Sequence, residues 1–224
     1  MAQDAALLAD LDPNGPPILH FYDWVKPSLT YGYFIDIKKY LHIEKLAEHK
    51  LDLARRPTGG GIVFHIWDLA FSFLMPAGHP QFCLNTLDNY RFVNEIVLDA
   101  VVSYFSLQDA YLTASSATQR DPSCNHFCMA RPTIYDAVFR GMKVAGAAQR
   151  RTKKGFLHQG TISLTLPQID LFEDILCSKE EVVRAMQIYT FAPLEKGASL
   201  QTARADLKKI LHQKFLAAFE QSSL

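Results

Sequence analysis

Two hydrophobic rhythms divide this chain. From about Asn85 to Phe105 the apolar residues Val93, Ile96, Val97, Ala100, Val101 and Tyr104 recur at spacings of three and four. That period puts them on one buried face of a long helix. The same reading predicts helices over Ala2 to Ala9, Asp36 to Lys50, Ile169 to Ile175, Ser178 to Gln187 and Ser199 to Gln221. Ser178 followed by Glu181 has the spacing of a capping box. Short runs rich in branched and aromatic residues predict strands instead, over Ile18 to Trp24, Leu29 to Phe34, Leu51 to Arg56, Ile62 to His65, Leu69 to Met75 and Ala110 to Ala114. Ile62 to His65 and Leu69 to Met75 read as a pair turning at Ile66-Trp67-Asp68. Ile134 to Phe139, Lys143 to Ala148 and Phe156 to Leu166 read as three successive antiparallel strands, the first two joined at Arg140-Gly141-Met142. Ser115 to Asn125 reads as a polar loop.

Strands with interspersed helices, late hairpins and a helical C-terminal part indicate an α+β fold, a mainly antiparallel sheet flanked by helices. The chain has 224 residues and no repeat or linker that would divide it. One domain over 1–224 is expected, with the helices from about 168 packed on it. Lys+Arg and Asp+Glu are both 23, which removes the general electrostatic case for nucleic acid. No apolar run is long enough to span a membrane, and the N-terminus lacks the basic start of a signal peptide. Four cysteines, Cys83, Cys124, Cys128 and Cys177, are too few for a disulfide scaffold and lack the spacing of a zinc site. A cytoplasmic protein without a metal centre is the expectation.

Two stretches carry candidate chemistry. The first is Arg55-Arg56-Pro57-Thr58-Gly59-Gly60-Gly61-Ile62-Val63-Phe64-His65. Three glycines suit neither helix nor strand, because ordering them costs the most backbone entropy. They suit bare backbone held against a ligand, and the arginines supply charge for an anionic or oxygen-rich group. A plain turn between strands is the simpler alternative for the glycines, as a histidine held at a strand end is for His65. The second stretch is Gly141-Met142-Lys143-Val144-Ala145-Gly146-Ala147-Ala148-Gln149. Small residues there would let a ligand lie on the strand, beside a lysine able to meet a carbonyl or phosphate. Alone, Lys143 reads as an ordinary exposed turn lysine.

Together, Arg-Arg-x-Thr-Gly-Gly-Gly-x-Val-x-His and, about eighty residues on, Gly-x-Lys-Val-x-Gly-x-Ala-Gln resemble the lipoate–protein ligase and octanoyltransferase family, which shares its catalytic fold with biotin–protein ligases. Asp4-x-x-Leu7-Leu8, Phe21-Tyr22-x-Trp24 and Gly32-x-Phe34 extend the likeness, which runs from about Ala2 through Thr161. The resemblance implies an enzyme whose Lys143 contacts the acyl carbonyl or acyl-phosphate. Arg55, Arg56, Thr58, Gly59, Gly60, Gly61 and His65 would line the activated end of the substrate, and Gly146 and Ala148 would flank the acyl chain.

Cys128-Met-Ala-Arg-Pro132-Thr133-Ile-Tyr135-Asp136 is similar to the transferases' Cys-Phe-x-x-Pro-Ser-x-Tyr-Glu, and His65-Ile-Trp-Asp68-Leu-Ala-Phe-Ser72 to their His-x-x-Glu-Leu-Thr-Tyr-Ser. The resemblance therefore leans toward cysteine-dependent acyl transfer from an acyl carrier protein, with Cys128 as nucleophile, Lys143 as its electrostatic partner and no cofactor. A thiolate is the right nucleophile for a thioester; a small buried hydrophobe is the alternative role for Cys128. The alternative function is an ATP- and Mg²⁺-dependent lipoate–protein ligase acting through lipoyl-adenylate, and a second is a non-catalytic accessory module of lipoylation. The sequence ends soon after Leu211 to Glu220, so the accessory domain of long ligases is not expected here, as it is not in shorter and two-part ligases. The implied acceptors are lipoyl-carrier domains, those of 2-oxoacid dehydrogenase E2 and glycine cleavage H protein. His158-Gln159-Gly160 stands where the family has Gln-His-Gly or His-His-Gly; His158 is the candidate substrate residue there, displaced by one position, which in a strand points it to the opposite face. The basic run Arg150-Arg151-Thr152-Lys153-Lys154 reads either as a guide for acidic partners or as a solvated hairpin tip.

Overall fold

A computed structural model describes residues 1–115, 126–166 and 168–220; Cys124 and most of the predicted polar loop lie outside them. Six antiparallel strands form the main sheet, in the order β1 (Ile18–Phe21), β5 (Asp68–Pro76), β9 (Gly155–Ser163), β8 (Met142–Arg151), β7 (Ala137–Phe139) and β6 (Tyr111–Leu112). A second sheet of β3 (Asp52–Arg55), β2 (Ser28–Tyr31) and β4 (Ile62–His65) contains the one parallel pairing among the named strands, β2 with β3. Its crossover carries the short helix α2 (Ile43–Glu48). The α+β, mainly antiparallel expectation holds.

The helix α3 (Thr86–Phe105) covers one face of the main sheet with α6 (Leu200–Glu220), burying Val93, Val97, Ala100 and Val101 against Phe71, Phe73 and Phe156. The Asn85 side chain caps α3 by accepting from the Leu87 amide at 3.0 Å. A second cluster packs Leu29, Ile62 and Phe64 of the small sheet against α4 (Ile169–Ile175) and α5 (Lys179–Tyr189). The first helix, α1 (Ala2–Ala9), lays Leu8 on Leu74 and Leu157.

Several local expectations are corrected. β4 and β5 do not pair with each other; they belong to different sheets. The Trp67 carbonyl accepts the amides of Leu164 and Thr165, so the end of β9 holds the corner and sends the strands apart. The helix expected over Asp36 to Lys50 is a 3-10 turn at Ile37–Lys39 followed by α2. Leu41 bridges to Leu176 and the His42 amide donates to the Ile175 carbonyl, so tertiary pairing interrupts it. Ser178 makes no side-chain cap at α5; its ψ of 66° departs from the extended geometry that a capping box needs. The strand expected from Ile134 begins only at Ala137, because Tyr135 is left-handed (φ 62°) and Asp136 closes a turn onto Thr133. The hairpin after it turns at Arg140 and Gly141, both with positive φ, as a two-residue turn of matching twist requires.

Candidate active site

Between the two sheets lies a cavity of about 30 Å³, lined by Arg56, His65, Cys128, Lys143, Gly146 and Ala148 among others. A second, apolar space of about 30 Å³ lies between Phe64, Trp67, Phe127 and Met186, and Val63 and Thr161 border both.

The three glycines do three different jobs. A side chain at Gly59 would meet nothing within 4 Å. Gly60 has φ +83°, which L residues rarely adopt, and faces Arg56, Ala148 and Cys128. Gly61 lies against the main chain of His126, where a Cβ would stand 2.5 Å from the carbonyl carbon. That closeness lets the Gly61 amide donate to Cys128 Sγ at 3.1 Å. Ile62 bridges to Phe127 beside it, so the run is stitched to the 3-10 turn Cys128–Ala130.

Arg56 is buried, and its guanidinium turns into the run. Nη2 donates to the carbonyls of Gly59 (3.2 Å) and Gly61 (2.7 Å), and Nη1 donates to Thr30 Oγ1 (2.7 Å). Burial pulls its pKa down from the ordinary arginine value, and the adjacent Cys128 acts in the opposite sense. Arg55, by contrast, is exposed and stacks on the Tyr33 ring at 4.5 Å, away from the cavity. His65 is buried between Asp68 (Nδ1–Oδ2, 2.7 Å) and Thr30 (Nε2–Oγ1, 2.7 Å), with Trp24 stacked on its ring. Thr58 is buried outside the cavity and donates to Gln159 Oε1 at 2.7 Å. Gln159 is lodged in turn against Asp4, at 2.7 Å from Nε2 to Oδ2.

Lys143 is 3% exposed, unlike the ordinary turn lysine. Its ammonium is paired with Asp136 (2.7 Å) and donates to the main-chain carbonyl of Cys128 (2.9 Å), not to the sulfur. Asp136 also accepts from Tyr90 and Thr133. Burial first, and then Asp136, push the Tyr90 phenol well above its usual value. Gly146 makes room for this arrangement, since a Cβ there would stand 2.5 Å from both Lys143 Nζ and Asp136 Oδ1. His158 is turned to the other face of β9, where it is fully buried beside Phe71 and Tyr90. Burial holds its imidazole down to about 3, and Gln159 takes the cavity-facing position instead. That removes His158 from the residues able to touch a ligand in this cavity.

Tyr22 also lines the cavity; its phenol donates to Asp4, and burial followed by the Asp4 charge pushes it upward. Thr30, Asp136, Tyr90 and Gln159 were not singled out from the sequence. Asp136 and Gln159 stood there only inside quoted motifs, without a role of their own, and Asp136 also has the spacing of a carboxylate three residues after Thr133. Of the basic run, Arg150, Arg151 and Lys154 donate to the carbonyls of Pro57, Leu84 and Ala9, so these three tie the hairpin tip to neighbouring segments.

The family model described as the lipoyl protein ligase A/B catalytic domain matches residues 1–221. The octanoyltransferase LipM of Bacillus subtilis (strain 168) is 34% identical over 192 residues, covering 84% of this chain and 68% of that protein. Among solved structures, lipoate-protein ligase A bound with ATP superposes with a TM-score of 0.74 at 21% identity, over 98% of this chain and 79% of that one. A bi-partite lipoate protein ligase from Thermoplasma acidophilum, described with its E2 lipoyl domain, gives 0.71 at 19% identity, over 98% and 77%. At those identities the structures establish the fold.

Proposed function

The chain belongs to the lipoyl protein ligase A/B catalytic-domain family, and we propose that within it this protein is an acyltransferase of protein lipoylation. It moves an octanoyl or lipoyl group onto a lysine of a lipoyl-carrier domain through Cys128 and Lys143. The observation that carries this reading is the Gly61 amide aimed at Cys128 Sγ at 3.1 Å, in a cavity that the buried Lys143 also lines. The glycine run serves the sulfur: one amide faces it, and two carbonyls are occupied by Arg56. A loop whose buried cation is turned into its own carbonyls is a poor cradle for a triphosphate, which needs outward amides and free positive charge. These residues therefore fit a thioester better than ATP and Mg²⁺.

In the first step the Cys128 sulfur attacks the thioester carbonyl of the donor. A new C–S bond forms, the donor's C–S bond breaks, and the cysteine proton ends on the departing thiol. Lys143 has three ammonium protons, two of which meet Asp136 and the Cys128 carbonyl. The third is available to the oxygen on which charge develops. In the second step the acceptor lysine, as its free amine, attacks the acyl-cysteine; an amide forms, the amine gives up a proton and the Cys128 thiol is restored. The acyl tail lies in the apolar space beyond Val63 and Thr161. An acyl carrier protein is the donor, lipoyl domains such as those of E2 and H protein are the acceptors, and the cytoplasm is the setting.

Incubation with octanoyl–acyl carrier protein, followed by mass analysis, should place an octanoyl group on Cys128. If no acyl-enzyme forms while ATP with free lipoate supports transfer, and serine at 128 leaves that activity intact, the protein is a ligase.

A further inference from the structure

The buried polar chain that ends on Arg56 begins two strands away, at Asp68. Asp68 Oδ2 meets His65 Nδ1 at 2.7 Å, His65 Nε2 meets Thr30 Oγ1 at 2.7 Å, and Thr30 Oγ1 accepts from Arg56 Nη1 at 2.7 Å. Thr30, Arg56, His65 and Asp68 are all buried. With the imidazole in its neutral form, counting protons sets the direction of every link. Arginine has donors only, so Thr30 accepts from Arg56 and its single hydroxyl proton goes to His65 Nε2. The proton of the neutral imidazole then sits on Nδ1 and goes to Asp68. Thr161 donates to the same Asp68 oxygen, and Trp24 stacks on the imidazole with ring centroids 4.5 Å apart. The ring thus has neither a free nitrogen nor freedom to turn.

Arg56 Nη2 pins the carbonyls of Gly59 and Gly61, the peptides on either side of the Gly60–Gly61 peptide. The amide between them is the one that meets Cys128 Sγ. Gly60 has the positive φ this turn needs, and the point where its Cβ would stand is 3.2 Å from Arg56 Nη2 and 3.6 Å from Sγ. The two carbonyl bonds hold Nη2 but leave the guanidinium plane able to rotate about that end. The Thr30 contact removes that freedom. Titratable and charged groups facing the Arg56–Cys128 pair are Tyr22 after β1, His65 and Asp68 at the β4–β5 corner, and Lys143 with Asp136 from the opposite wall.

We propose that Asp68, His65 and Thr30 form a positioning relay for the Cys128 sulfur, acting through Arg56 and the Gly60–Gly61 peptide. The relay rests on Cys128 being the acyl-accepting group, but its geometry concerns the sulfur alone and can be read without acyl transfer. The test is site-resolved alkylation by iodoacetamide across a pH series, with the exposed Cys177 as internal reference. Thr30→Val removes the hydroxyl and leaves Nη1 without this partner, so that the guanidinium is held from Nη2 alone. It should slow Cys128 alkylation about tenfold near neutrality and move its pH profile upward, leaving Cys177 unchanged. Thr30→Ser, which restores the hydroxyl, should return the wild-type profile. Should Thr30→Val fail to fold, His65→Asn carries the same expectation, because its amide can meet Asp68 but cannot reach Thr30.

An unchanged Cys128 profile in a folded variant overturns the relay, even if the melting temperature falls. A serine variant as slow as the valine one also overturns it. An absent acyl-enzyme in the wild type sinks the transferase reading instead, and the two failures are separable because alkylation needs no acyl donor.

Discussion

Gly61→Ala tests the way the glycine run addresses the sulfur. The added Cβ would stand 2.5 Å from the His126 carbonyl carbon and 3.1 Å from its Cα. Ordinary carbon–carbon contact lies at about 3.5–4.0 Å, so the two segments must separate by roughly 1 Å. The obstacle is main chain, which cannot swing aside as a side-chain end can. The displaced segment carries Cys128, and the separation breaks the Gly61–Cys128 contact and strains the Ile62–Phe127 bridge. Overpacking of this kind costs about 1–3 kcal/mol. In a chain of this size that lowers the melting temperature by roughly 2–4 °C per kcal/mol, so the variant still folds. Misplacement of a reacting atom by about 1 Å costs on the order of a hundredfold in rate. The assay is the rate of octanoyl transfer to Cys128 from a thioester donor, with melting followed in parallel. Gly59→Ala is the control, since its methyl would meet nothing within 4 Å; it should acylate at the wild-type rate. If Gly61→Ala and Gly59→Ala acylate Cys128 equally fast, the run does not present the sulfur and the reasoning fails.

Gly146→Ala would push against Lys143 Nζ and Asp136 Oδ1, both 2.5 Å from its Cβ. The lysine end can yield, so transfer to the acceptor should fall on the order of a hundredfold with a smaller loss of stability; wild-type turnover would contradict the placement of the ammonium. Asp136→Ala leaves that ammonium buried and unpaired, which should cost about 3–5 kcal/mol in urea unfolding; a loss under about 1 kcal/mol would contradict it. His158 is held down to about 3 by burial, so the unfolded chain takes up a proton that the native one refuses. Its contribution is complete above the unfolded value near 6.5 and is lost as pH falls toward 3, by roughly 1.4 kcal/mol per pH unit. His158→Phe should flatten urea midpoints between pH 7 and 5; an unchanged pH slope would show that another group carries it.

Much of this fold could be read from spacing. The face of α3 and the helix over Ile169 to Ile175 follow from local periodicity, which tertiary contacts left alone. The break at the Ile66–Trp67 corner could not be read, because two apolar strands with a short connection look like a hairpin until the carbonyl of Trp67 finds its partners on β9. The glycine run and the stretch from Gly141 to Gln149 stood out on their own residues, and the likeness to a known family gave them an acyl substrate. Two adjacent arginines could not be told apart in sequence. Arg55 ends β3 with its side chain in solvent, and Arg56 follows it inward. The change of direction comes from pairing with Tyr31, whose carbonyl accepts the Arg56 amide.

The positions of the two buried cations divide the chemistry between them. Lys143 is paired with Asp136 and braces the main chain of Cys128, which takes up two of its three ammonium protons. Among the described residues no carboxylate is paired with Arg56; its guanidinium meets a hydroxyl and two carbonyls. A buried charge without an opposite charge is expensive unless its donors find partners, and here two of those partners are carbonyls of the loop that faces the sulfur. On the proposed acyl transfer, the positive charge stays uncompensated on the side where a thiolate would form, while the lysine, already paired, would be left for the acyl oxygen. A single cation serving both needs would have to give up one position to reach the other. On the same proposal, two cations in separate places let sulfur and carbonyl be addressed at once.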